Sequence, residues 1–178
     1  MRHSKVKIAT EESTIKKERN ENYRNAVKEL TRADHLIFVS LKYSRTVDVM
    51  LSIINRLIEA HHFAMLAVLE SYYQDEDELK KQLHGAKTET EGVVKAYPDL
   101  AEDIVFYKFL RNLNKAPVKQ RLNEFRRHVT LVTEIDEKEL RVKTDDIEIY
   151  YEKSKEFLRK VNKHIHSPGE DDLLSLKN

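Results

Sequence analysis

The strongest hydrophobic pattern in the chain runs from Val47 to Tyr72. Val47, Met50, Ile54, Leu57, His61, Met65, Val68 and Tyr72 recur at steps of three and four, which place them on one helical stripe. Ile53, Ala60, Phe63 and Ala67 add a second apolar face. An apolar surface this wide predicts burial against two or more partners. About 28 residues of helix would run roughly 40 Å, so this segment is expected to be the central element.

The flanking segments read around it. Val27, Leu30, Ile37, Phe38 and Leu41 predict a helix from about Asn22 to Leu41, and Lys42 to Arg45 form a short break. Ser44 or Thr46 can cap the next helix, and Asp48 suits its first turn. A short helix is expected after the acidic Gln74–Glu78 stretch, ending near Gly85, and another is expected to open at Thr88–Glu91. Pro98 marks a restart, and Leu100, Ile104, Tyr107, Leu110 and Leu113 carry a helix as far as Asn114. His128 to Ile135 is β-branched and lacks a helical period. With a turn at Asp136–Glu139 and a return at Leu140–Val142, it predicts a small β-hairpin. Thr144 opens a last helix carrying Ile147, Tyr150, Tyr151, Ser154, Phe157, Leu158, Val161 and Ile165, which Ser167-Pro168-Gly169 stops.

The predicted fold is therefore all-α: an antiparallel helical bundle of four or five main helices, with a small β-hairpin near 129–142. Residues 1–20 read as a flexible lead-in, 21–167 as a single domain and 168–178 as a disordered tail. Composition supports a helical chain. Among 178 residues, charged ones make up 35% and hydrophobic ones 40%, with only 3 Gly and 3 Pro to interrupt helices.

The net charge of +1 argues against a globally basic protein but leaves room for a local patch. The absence of cysteine removes disulfides and thiolate metal sites. Asn55, Arg56, Glu59, His61 and His62 interrupt the most apolar stretch, so no membrane span is expected. A cytoplasmic protein without cofactor is the reading that follows. The central helix has more apolar surface than one small core needs, and Tyr72, Tyr73, Tyr150 and Tyr151 add to it. A homodimer is expected on that ground, and a different protein partner is possible.

Candidate chemistry lies in one basic stretch. Lys108, Arg111, Lys115, Lys119, Arg121, Arg126 and Arg127 are opposed only by Glu124. Lys115, Lys119, Arg126 and Arg127 are candidate contacts to an RNA backbone. Arg121 and His128 form a candidate catalytic pair. An arginine can stabilise charge developing on a phosphate, and a histidine can move the proton of a ribose 2′-hydroxyl. Against this, runs of charge are most often solvated faces, and a chain with 8 His and many Arg produces such pairs by chance. His61 has only Leu57, Ile58, Ala64 and Met65 at ligand spacing, so it reads as a core histidine and no metal is expected. His62 could pair with Glu59. His164 and His166 read as helix-end residues.

Two regions carry a family resemblance. The run from Ala33 to Leu41, followed by the helix Val47–Tyr73, resembles the opening helix pair of HEPN-type bundles and is similar to a group of small uncharacterised archaeal helical proteins. Phe125-Arg126-Arg127-His128, together with Val142–Leu158, resembles the end of such domains. There an Arg, four to six residues and a His precede a final helix. The resemblance implies an antiparallel bundle, dimerisation and, in some members, metal-independent RNase activity with Arg121 and His128 in the catalytic positions. Two features depart from the family pattern. Leu122 stands where a polar residue usually follows the Arg, and His128 opens a β-branched run rather than a helix. Two functions compete: a non-catalytic helical interaction module, favoured because the motif is loose, and an RNA-binding protein or RNase using Arg121 and His128.

Overall fold

The computed structural model describes residues 21–73 and 75–165. The expected lead-in at 1–20, the tail at 168–178, His166 and the Ser167-Pro168-Gly169 stop lie outside the described residues.

The first helix, α1, covers residues 21–44. Tyr23, Ala26, Leu30, Ala33, Ile37 and Leu41 form its buried stripe. From Leu36 to Leu41 the helix widens to a π-helix, which has more residues per turn than an α-helix. One residue of this segment departs from the sequence reading. Phe38, expected on the core face, is 58% exposed, and Val39 beside it is exposed as well. Arg45, at φ 51°, adopts the left-handed conformation that ends α1. Thr46 is extended, and the central helix α2 then runs Val47–Tyr72, as the hydrophobic stripe predicts.

Most of both apolar faces of α2 is covered from within the chain, with Phe63 half-buried and Tyr72 exposed at the end. Met50, Ile53, Ile54, Leu57, Ala60, Ala64, Met65 and Val68 are fully buried. α3 (Glu76–Gln82) starts on Asp75, whose carboxylate accepts from the Asp77 and Glu78 amides at 3.0 and 2.9 Å. α4 spans Ala86–Ala96, and Gly92 within it is buried. A Cβ at Gly92 would lie 2.7 Å from the Gln82 side chain and 3.2 Å from Leu69, so a glycine lets α4 approach α2 closely. A 3-10 turn at Pro98–Leu100 leads into α5 (Ala101–Lys115). α6 (Thr144–Ile165) lies along α2 in the most extensive helix pairing of the molecule.

A three-stranded antiparallel sheet corrects the all-α expectation. β2 (Thr130–Ile135) and β3 (Lys138–Lys143) are the expected hairpin, joined through Asp136 and Glu137. Both turn residues have positive φ, 50° and 60°, as the tight two-residue connection requires. The third strand, β1 (Gln120–Leu122), pairs with the other edge of β2 and was not expected. The described residues are otherwise mostly helical, and their buried apolar side chains, Val132 apart, form a single cluster. No helix among them is long and apolar enough to cross a membrane.

Candidate functional site

The basic stretch becomes β1 and the loop 123–129 that joins it to β2. Register sets the geometry: Arg121 lies opposite Leu131 and Leu122 opposite Thr130, so seven residues close the connection. The loop is fastened to the corner between α1 and α2. The Glu124 carboxylate accepts from the Val47 amide at 3.0 Å, a contact between residues 77 positions apart. Thr46 makes no side-chain cap, so this carboxylate satisfies one of the open amides at the start of the central helix. The Phe125 amide donates to the Arg45 carbonyl at 2.8 Å. Within the loop, the Asn123 side chain donates to the His128 carbonyl at 3.3 Å and the Thr130 hydroxyl donates to it at 3.0 Å.

Arg121 belongs to the same fastening. Its guanidinium donates to Asp48 at 2.8 Å and lies 3.6 Å from Glu124. The Arg121 hydrogen bond holds the Asp48 carboxyl below its ordinary range, and the pairing raises Arg121 in turn. Both acids sit where the positive end of the α2 dipole favours them. Arg121 therefore cross-links β1 to the start of α2.

The other candidates are arranged differently. Lys119 is exposed and lies 3.7 Å from Glu134 on β2. Lys115 is exposed in the last turn of α5. Arg126, Arg127 and His128 are exposed on the fastened loop, and no side-chain hydrogen bond or ion pair holds them among the described residues. No hydrogen bond links the side chains of Arg121 and His128.

Sequence reasoning missed two residues that dominate this surface. Phe125 is 75% exposed and has φ 64°, a left-handed conformation that bulky side chains rarely adopt. Tyr43 is 80% exposed and lies two residues before the carbonyl that accepts from Phe125. One signal was present in the chain: Glu124, the single acid among the cations, is the residue that anchors the loop.

Three other histidines resolve as structural groups. His62 lies 3.5 Å from Glu89 rather than pairing with Glu59. His164 bonds Asp99 at 2.9 Å and lies against the Tyr97 ring. His61 is fully buried, and no cluster of three metal-ligating side chains occurs among the described residues.

The loop anchor leads to a stability prediction. Glu124→Ala should cost about 1–2 kcal/mol, the range for losing a helix N-cap, and lower the melting temperature by roughly 3–8 °C. Glu124→Gln, which keeps an acceptor oxygen, should recover most of it. A thermal melt in which Glu124→Ala is as stable as the parent would show that the loop is not anchored this way.

No protein-family model matches the chain, and no match was found among curated proteins or solved structures.

Proposed function

We propose that this chain is a non-catalytic interaction module, a helical bundle that engages a partner through the corner between α1 and α2. One observation carries the reading. Arg121 and Glu124 are committed to fastening the loop, and the fastened loop presents Phe125, Arg126, Arg127 and His128 to solvent beside Tyr43. A left-handed aromatic residue stores backbone strain, and strain of this kind clusters at binding surfaces. Aromatic and arginine side chains are the commonest anchors of protein interfaces.

The partner in this proposal includes a second copy of the chain. Most of the apolar surface of α2 is covered within the monomer, although Tyr72 at its end is exposed. Self-association would therefore run through Phe38, Val39, Tyr43 and Phe125, the exposed apolar side chains of α1 and the loop. Light scattering at micromolar concentration should give twice the 21.0 kDa chain mass. Tyr43→Ser with Phe125→Ser should return it to the monomer. A parent protein that is monomeric at every concentration would remove the dimer.

The RNase reading rests on a second observation, the exposed aromatic residues beside unpaired arginines, a combination that also suits single-stranded RNA. Filter binding at two salt concentrations, with a cleavage assay in chelator, separates the readings. The interaction module predicts no cleavage. Cleavage lost in both Arg121→Ala and His128→Ala would overturn it, because proton transfer needs the imidazole while backbone binding does not. Salt-sensitive binding without cleavage would make RNA the partner and keep the non-catalytic role.

A further inference from the structure

A second cluster of cations lies outside the loop, where α1 faces α2. Arg32, His35 and Leu36 of α1 and Arg56 of α2 line a solvent-open cavity of about 240 Å³. Beneath it sits Glu29, whose side chain is only 9% exposed. One Glu29 oxygen accepts from Arg32 and the other accepts from Arg56 at 3.0 Å. The carboxylate thus fixes both guanidiniums from two different helices. Each guanidinium has five N–H donors and gives only one of them to Glu29 in these contacts. The others remain for the cavity.

The charge is unbalanced in a useful way. Two arginines against one carboxylate leave the cavity positive, and His35 adds a further donor. Guanidiniums match the oxygens of a phosphate two at a time, which ammonium groups do not. The backbone at this wall is also unusual: the π-helix begins at Leu36, directly after His35, and such departures from the α-helix are frequent at functional sites. Leu36 supplies an apolar wall next to the donors.

We propose that this cavity binds the phosphate group of a small ligand, held between Arg32 and Arg56 with His35 as a third donor. Phosphate oxygens would accept from both guanidiniums while Glu29 keeps them in place. Leu36 favours an ester over the free ion, since the organic part of an ester covers it. The inference is independent of the loop 123–129 and of the partner proposed for it.

The test is an NMR titration of the full chain at low salt, following the histidine ring and arginine side-chain resonances. Inorganic phosphate is one arm and adenosine 5′-monophosphate the other. Saturable shifts at His35, Arg32 and Arg56 are expected, with the nucleotide saturating at lower concentration than phosphate. Equal saturation would assign the site to the phosphate group alone. Arg56→Gln should weaken binding by about tenfold or more, as loss of a charge-assisted hydrogen bond does. Arg32→Gln, at a more exposed position less able to disturb folding, should do the same. Arg141→Gln on β3 should change nothing. Shifts that never saturate, or that spread equally over surface lysines and arginines, would overturn the proposal. So would equal weakening in Arg141→Gln.

Discussion

Between pH 6.5 and pH 5 the protein should lose about 1.6 kcal/mol of stability through His61 alone, the slope steepening toward about 1.4 kcal/mol per pH unit as the unfolded histidine becomes fully protonated. The cause is the place of that imidazole in the core. His61 is fully buried on α2, within 6 Å of the Phe106, Tyr107 and Phe157 rings, and burial pushes its pKa from 6.5 down to about 3. Its hydrogen bonds fix the tautomer. Ser154 gives its single hydroxyl proton to the Tyr150 carbonyl at 2.9 Å, so toward His61 it can only accept. His61 Nε2 therefore carries the proton donated to Ser154 at 3.0 Å, and Nδ1 is left bare and without a partner in an apolar surround.

Protonating Nδ1 would place a charge there with no acceptor to receive it. The native state consequently stays neutral well below pH 6.5, while the unfolded chain takes up the proton near 6.5. A group depressed on folding contributes its stability in full above its unfolded pKa. That contribution is lost as pH falls toward the folded value of about 3. Urea titrations at several pH values should show the fall, and His61→Leu should flatten it while costing little at pH 7. The other histidines and the carboxylates are common to both proteins, so the difference between the two slopes isolates His61. Equal slopes would mean that His61 is hydrated or paired in the native state.

What could be read from the chain follows from how local the governing interaction is. α2 was legible almost to the residue because its own stripe marks its limits, although the side chain that caps its start is Glu124 and not the neighbouring Thr46. The β2–β3 hairpin was legible from the β-branched run of β2, but its turn, expected at Asp136–Glu139, has only two residues, because Lys138 and Glu139 already pair with β2. β1 was not: Gln120-Arg121-Leu122 has no alternation of its own and is a strand only because the edge of β2 is open to it. The π-helix was also hidden, since Leu36 to Leu41 satisfies an α-helical pattern equally well. At the candidate site, charge identified the residues but not their roles. Arg121 looked available for phosphate, yet its partner Asp48 is 73 residues away, and no spacing rule reaches that far. Glu29 with Arg56 is hidden in the same way, across 27 residues.

Phe157→Ala should produce the largest loss of any single truncation near this site, about 3–5 kcal/mol, with a fall in melting temperature of roughly 10 °C or more. Phe157 is fully buried on α6, the helix most extensively packed on α2, and its ring stacks on His61 at 4.5 Å and 10°. Removing it takes away apolar burial and leaves a cavity that close-packed neighbours refill only in part. That cavity would open beside the bare Nδ1 of His61. An apolar cavity stays dry, but one with a polar atom on its wall can hold a water. Water reaching Nδ1 would hydrate the imidazole and let its pKa climb back toward 6.5. Phe157→Ala should therefore combine a large loss at pH 7 with a shallower fall between pH 6.5 and pH 5 than the parent shows. Phe157→Leu, which keeps the apolar wall nearly closed, should lose less and keep the steep fall. A steep acid dependence in Phe157→Ala equal to that of the parent would show that burial by the other rings, and not by Phe157, sets the His61 pKa.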